Sequence, residues 1–275
     1  MPEPSEHREQ VEGVEVFWRR TESSGGGAPT LFVHGVPTNS DDWLPFLARA
    51  SGVALDLPGF GRSAKPADFD YSIAGYDRFL ESFLDAAGIE RFSLVVHDWG
   101  AVALATAQRL RERLDRLVLI AAVPLLEGCE WHRIARIWRR PVIGELAMGF
   151  TTRWALKRIS KRANVTPGPL PQELLDSVWS HFDHGTQRAI LKLYRSAPPQ
   201  VLATAGSDLD RIDCPSLVLW PDADPYIGPR FGPAYARALG GRTTFETVPD
   251  AGHWPWLDRP ELVDRVTGFL ACGPR

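Results

Sequence analysis

An α/β fold, with a mostly parallel central sheet, helices on both faces and a helical insertion, is predicted by three features of this 275-residue sequence. Short β-rich apolar runs recur at 30–33, 53–57, 92–96, 117–122, 216–220 and 244–248. Such runs suit strands buried on both faces. Segments with helical spacing of their apolar residues separate them, and strands alternating with helices imply a parallel sheet between helical layers. That alternation stops between Leu125 and Asp210, where helical patterns continue without a convincing strand. The chain is therefore expected to build a core from 1–124 and 211–275. A helical cap, 125–210, would be inserted after the strand ending near Ala122.

Taken in order, Val11 to Arg20 alternates as a strand does, with Gly13 as the turn between two short ones. Ser23 to Gly27 reads as a flexible connection. The strand at 30–33 ends on His34-Gly35-Val36-Pro37, where His34 is expected to be a buried, hydrogen-bonded loop histidine. The strand at 53–57 ends on Pro58-Gly59-Phe60-Gly61-Arg62-Ser63. A helix is expected from about Ile73 to Ala87, with Phe79, Phe83 and Leu84 at helical spacing and Gly88 as its stop. In the insertion, Trp131, Ile134, Ile137 and Trp138 fall three or four apart, and Trp154, Leu156 and Ile159 form a looser group. Pro167, Pro169 and Pro171 interrupt, then Glu173 to Phe182 and Ala189 to Tyr194 resume the pattern. A closing helix is expected from about Pro260 to Leu270.

Composition narrows the functional classes. With 44% hydrophobic and 24% charged residues the chain reads as an ordinary soluble protein. A net charge of −3 gives no reason to expect nucleic acid or an anionic membrane as partner. No run of about 18 apolar residues occurs, and the polar N-terminus lacks the apolar stretch of a secretion signal. Cys129, Cys214 and Cys272 are scattered and odd in number, which fits reduced cytoplasmic thiols better than disulfides or a metal site. From Glu127 to Arg162 there are nine Lys/Arg against three Asp/Glu. This run reads first as a solvated helix face and second as an attractor of anions.

Chemistry concentrates at Leu94 to Ala103. An apolar strand ends on His97-Asp98-Trp99-Gly100, and Ala101 to Leu110 follows with good helix formers. Strand, sharp turn, helix is the setting of a nucleophile elbow, in which small neighbours such as Gly100 and Ala101 are required. Val96 stands where the first glycine of that pattern usually falls. The residue at the turn is Asp98, and a carboxylate there can attack carbon and form an ester with the protein. Asp224 and His253 also sit just beyond the carboxyl ends of expected strands, the edge at which open α/β sheets bind ligands. Asp222, two residues from Asp224, competes with it for the role of acid.

With the His34-Gly35-Val36-Pro37 loop and the order Asp98, Asp224, His253, these motifs resemble the α/β-hydrolase family over nearly the whole chain. Within it they look like the aspartate-nucleophile branch, the epoxide hydrolases and haloalkane dehalogenases. The resemblance implies an α/β-hydrolase fold and attack by Asp98, followed by hydrolysis of the ester by water that His253 activates. Asp224 would orient His253, and the backbone N–H groups of Trp99 and Val36 would form the oxyanion hole. No metal or organic cofactor is implied, and the partner would be a small apolar electrophile. The oligomeric state is left open.

The choice between epoxide and haloalkane rests on few residues. Leu191-Lys192-Leu193-Tyr194-Arg195 resembles a tyrosine motif of the epoxide hydrolases, whose cap tyrosines protonate the opening ring. Their other tyrosine has no counterpart, and His132 is a candidate second donor besides being an ordinary helix residue. Trp99 matches a halide-binding tryptophan of the dehalogenases but occurs in epoxide hydrolases too. Val36 stands where many dehalogenases have asparagine, and its side chain donates nothing. Trp131, Trp138, Trp154 and Trp179 could stand in as halide donors or simply fill the core. The elbow carries Trp99, not the arginine of fluoroacetate dehalogenases, which disfavours haloacids. An epoxide hydrolase is the first expectation, a haloalkane dehalogenase the second and a non-catalytic ligand receptor the third.

Overall fold

The computed structural model describes residues 3–22, 28–166, 168 and 170–271. The expected connection at 23–27, and Pro167, Pro169 and Cys272, lie outside the described residues. Up to the insertion the elements are β1 (Ser5–Val11), β2 (Val14–Thr21), β3 (Thr30–Val33), α1 (Leu44–Leu47), β4 (Gly52–Leu55), α2 (Ile73–Ala86), β5 (Phe92–Asp98), α3 (Ala103–Arg109) and β6 (Leu114–Ala122). Six helices follow: α4 (Arg133–Trp138), α5 (Ile143–Gly149), α6 (Arg153–Ser160), α7 (Gln172–Ser180), α8 (His184–Ser196) and α9 (Pro199–Ala205). The chain then closes with β7 (Ser216–Pro221), α10 (Phe231–Ala238), β8 (Thr243–Val248), α11 (Pro255–Asp258) and α12 (Glu261–Ala271).

The strands form one eight-stranded sheet in the order β1-β2-β4-β3-β5-β6-β7-β8. Pairing is parallel from β4 to β8, and β1 and β2 are antiparallel at one edge. All seven residues of β5 are buried, because both faces of this central strand are covered. Leu94 and Val96 of β5 pack with Leu117 and Leu119 of β6 in one apolar layer. Val95, Val118 and Ile120 point the other way, into a second layer with Trp43, Phe46 and Trp256. Period-two alternation along buried strands thus feeds two cores at once.

Differences from the sequence reading sit at the edges. β1 begins at Ser5, inside the polar N-terminal stretch, and pairs with β2 through Arg20. An edge strand half in water needs no apolar run, so hydropathy alone does not reveal it. β6 starts at Leu114, where Asp115 and Arg116 precede the apolar run. The helix after Asp98 opens as a 3₁₀ turn, Trp99–Val102, before α3 begins. Trp154, one of the tryptophans offered for the core, is 69% exposed on α6.

Candidate active site

Asp98 ends β5 with φ 48° and ψ −122°, a conformation that costs about 1–3 kcal/mol for a residue with a Cβ. Two glycines make room for it. A Cβ on Gly100 would lie 2.1 Å from the carbonyl oxygen of Val33, and one on Gly35 would lie 2.5 Å from Asp98 Cβ. The side chain is thereby turned out of the sheet plane toward the loop after β3, where the Val36 N–H donates to Asp98 Oδ2 at 2.9 Å.

Asp224 and His253 converge on it from the next strands. His253 Nδ1 lies 2.8 Å from Asp224 Oδ2, and His253 Nε2 lies 3.8 Å from Asp98 Oδ1. The backbone N–H groups of Tyr226 and Ile227 donate to Asp224 Oδ1 at 2.7 and 3.2 Å, which fixes the carboxylate. The competing Asp222 is exposed and donates its backbone N–H to Val248. With Asp224 on Nδ1, the imidazole carries its proton there and presents Nε2 to Asp98.

Charge is finely set at this buried site. Burial raises the Asp98 pKa, while His253 and the N–H groups of Val36 and Trp99 pull it down. Burial would lower His253, but the charge and hydrogen bond of Asp224, with the charges of Asp98 and Asp42, raise it above its usual value. The His253 main chain is pinned on both sides: its N–H donates to Ala163 at 2.7 Å, and its carbonyl accepts from His97 Nε2 at 2.8 Å. Burial holds His97 well below the usual histidine pKa, so it is neutral.

A cavity of about 330 Å³ opens over Asp98 and His253, with mostly apolar walls. Tyr194 of α8, Trp131 and His132 line it from the insertion, and Tyr226 lines it from the loop after β7. Burial raises both phenol pKa values, Tyr226 to about 12, and the charge of Asp98 adds to the rise in each. His132 Nδ1 accepts from the Ala135 N–H at 3.4 Å as the cap of α4, which leaves Nε2–H as its donor. Burial pushes its pKa down to about 4.

Trp99 is placed differently from the expectation of a substrate-facing indole. It does not line the cavity: Trp131 stacks on it at 5.3 Å and Tyr194 meets it edge-on at 5.0 Å. Its Nε1 finds no acceptor within hydrogen-bonding geometry, though it lies near enough to Tyr194 to lower that phenol's pKa. Trp131 Nε1 is already committed to the Ala197 carbonyl at 3.0 Å. His34, as expected, is buried and hydrogen-bonded, with Nδ1 donating to Gly35 and Nε2 accepting from Leu57.

Three residues at the site escaped the sequence reading. Tyr226 directly follows the Asp224-Pro225 pair, and His97 precedes Asp98, so proximity to the motifs was the available signal. Asp42 had no such signal. Its Oδ2 accepts from Thr38 at 2.5 Å, its Oδ1 finds no donor in good hydrogen-bonding geometry though the Trp254 indole lies near enough to lower its pKa, and burial, the larger effect, raises that pKa to about 7. Among the described residues no cluster of three or more His, Cys, Asp and Glu side chains is arranged to hold a metal ion.

Fold and site together are those of an α/β hydrolase, and the model of the alpha/beta hydrolase family matches residues 30–266: the chain belongs to that family. More narrowly, it is a hydrolase of the haloalkane dehalogenase and epoxide hydrolase superfamily. A haloalkane dehalogenase of Mesorhizobium japonicum is 33% identical, over 94% of this chain and 89% of its own length. Epoxide hydrolase 3 of Xenopus tropicalis is 25% identical over 86% of this chain and 69% of its own. The crystal structure of haloalkane dehalogenase DbeA from Bradyrhizobium elkani superposes with a TM-score of 0.83, at 26% identity and 98% of each chain.

Proposed function

We propose that this protein is an epoxide hydrolase that works through an ester on Asp98. One observation carries the choice: two phenols, Tyr194 and Tyr226, line the cavity close enough to Asp98 to feel its charge. In this reading Asp98 attacks a ring carbon, the C–O bond breaks, and the ring oxygen takes its proton from a tyrosine. The 3.8 Å between His253 Nε2 and Asp98 Oδ1 is too long for a strong hydrogen bond, so Nε2 is left free to act on a water that reaches the ester from the cavity. His253 takes a proton from that water, which attacks the ester carbonyl, and the N–H groups of Val36 and Trp99 hold the oxyanion. Asp224 stabilises the imidazolium, and a vicinal diol leaves. The insertion serves as a cap in which α8 supplies Tyr194 and the stretch before α4 supplies Trp131.

Alkylation adjusts the base for the second step. Esterified Asp98 is neutral, so one of the charges that raises the His253 pKa is gone. The histidine then favours the neutral form that can accept a proton from water.

Dehalogenation is the second reading, favoured by the Mesorhizobium japonicum relative. Against it stand the Val36 side chain, the Trp131 N–H given to Ala197, and the placement of Trp99 behind the cavity wall.

One variant separates the two. His253→Gln leaves attack by Asp98 intact but strands the ester, since carboxylate alkylation needs no histidine. Offered a panel of terminal epoxides and 1-haloalkanes, it should gain the whole mass of an epoxide on the peptide containing Asp98. A haloalkane would add its mass less the hydrogen halide and release halide in equal amount. Labelling by haloalkanes alone would reverse the choice of substrate, and no label from either class would remove Asp98 as nucleophile.

A further inference from the structure

Helix α6 faces two spaces. Leu156 and Ser160 line the catalytic cavity. Trp154 and Arg158 line a second, outer cavity of about 580 Å³, which Lys161 and Arg162 also border. The two spaces share Ile134 and Tyr226 as wall residues. The Tyr226 ring lies 4.9 Å from that of His253, so the wall shared by the two spaces comes within one aromatic ring of the catalytic histidine.

Charge in the outer cavity is one-sided. Arg158, Lys161 and Arg162 line it, and among the described residues no carboxylate does. Among the described residues none of these three forms an ion pair, whereas nearby Arg153 pairs with Asp176 and Arg195 with Glu145. Arg158 is steadied over the Trp154 ring, 5.4 Å from its centroid, leaving an apolar plane beside a cation. The chain as a whole has a net charge of −3, so this positive cluster is a local feature and not a general basicity.

We propose that the outer cavity binds the anionic end of an amphipathic substrate, a carboxylate-terminated apolar chain whose electrophilic carbon lies in the inner cavity. The substrate class rests on the reading of Asp98 as nucleophile; the anion site rests on the outer cavity alone. Contacts so far from the reacting carbon bind ground and transition states alike, so they lower KM and leave kcat nearly unchanged.

Binding of unreactive chains tests the site without chemistry. Decanoate, decan-1-ol and decyltrimethylammonium share a chain and differ in head group; each is titrated into the wild type by calorimetry at low ionic strength. Decanoate should bind about tenfold more tightly than the alcohol, as three exposed cations allow, and the ammonium most weakly. The preference should collapse in about 0.5 M salt, where screening is short-ranged. The variant Arg158→Gln/Lys161→Gln/Arg162→Gln should bind acid and alcohol equally while turning over a neutral epoxide as the wild type does. Equal binding of acid and alcohol by the wild type, or an undiminished preference in the triple variant, would overturn the proposal. Turnover of the neutral epoxide is read separately: its absence counts against Asp98 chemistry, and the head-group preference alone decides the anion site.

Discussion

Tyr194 has two neighbours that pull its chemistry in opposite directions. Burial and the charge of Asp98 hold its proton on, while the Trp99 indole stabilises the phenolate. In the proposed epoxide reaction, a phenol that keeps its proton in the resting protein is available to protonate the opening ring oxygen. Tyr194→Phe should therefore slow formation of the Asp98 ester by about 10- to 10⁴-fold, with Tyr226 able to compensate in part. Breakdown of the ester should change much less. Rapid mixing with an epoxide under single-turnover conditions measures both steps, and an unchanged alkylation rate would reduce Tyr194 to a packing role. That Asp98, Asp224 and His253 meet was legible in the sequence, because each lies at or just beyond the carboxyl end of an expected strand, β5 and β7 fully buried and β8 largely exposed. Tyr226 and His97 were not singled out, since a side chain's partner across the sheet leaves no mark on its own neighbours in sequence.

The elements around the elbow are fixed by close approach more than by side-chain chemistry. β5 and the 3₁₀ turn after it pass so near β3 that Gly100 has no space for a methyl group, and what blocks it is backbone. Gly100→Ala should cost on the order of 3 kcal/mol or more, or displace Asp98 and lower turnover at least about 100-fold. Gly149→Ala is the control, since nothing lies within 4 Å of its added Cβ at the end of α5, and it should be neutral or slightly stabilising. Urea unfolding and turnover of both variants check the pair; equal stability of the two would mean that β3 yields easily. The β3 loop has its own anchor. Asp41 joins Arg19 at 2.7 Å and Arg62 at 2.9 Å, and it accepts from Ser177 of α7 at 2.5 Å. The helix at Ile73–Ala86 was readable from its apolar spacing, but this anchor was not. No pattern in the sequence marks Asp41, because its partners come from β2, the loop after β4 and α7.

At the scale of the molecule, buried titratable groups act on stability in opposite senses. His34, His97 and His132 have lowered pKa values through burial, so the stability they lend is lost as pH falls below about 6.5, where the unfolded chain takes up their protons. Asp42 works the other way. Burial raises its pKa from 3.8 to about 7, so the folded chain keeps a proton that the unfolded chain releases near pH 4. Between about pH 4 and 7 the folded state then binds more protons at this residue, and stability falls as pH rises. A shift of that size corresponds to roughly 4 kcal/mol when complete, and its cause is that Asp42 is nearly inaccessible to solvent. Asp42→Asn keeps the shape of the protonated acid and cannot ionise. It should match the wild type in stability near pH 4.5 and exceed it increasingly up to pH 8, by at most that amount. Urea midpoints at pH 4.5, 6 and 8 measure the divergence, and parallel profiles would show that the fold carries Asp42 ionised throughout. At and above about pH 7, where Asp42 is ionised, the same substitution removes one of the charges that raises the His253 pKa. The acid limb of turnover should therefore move to lower pH in Asp42→Asn, so that one carboxyl group links the pH dependence of the fold to that of the reaction.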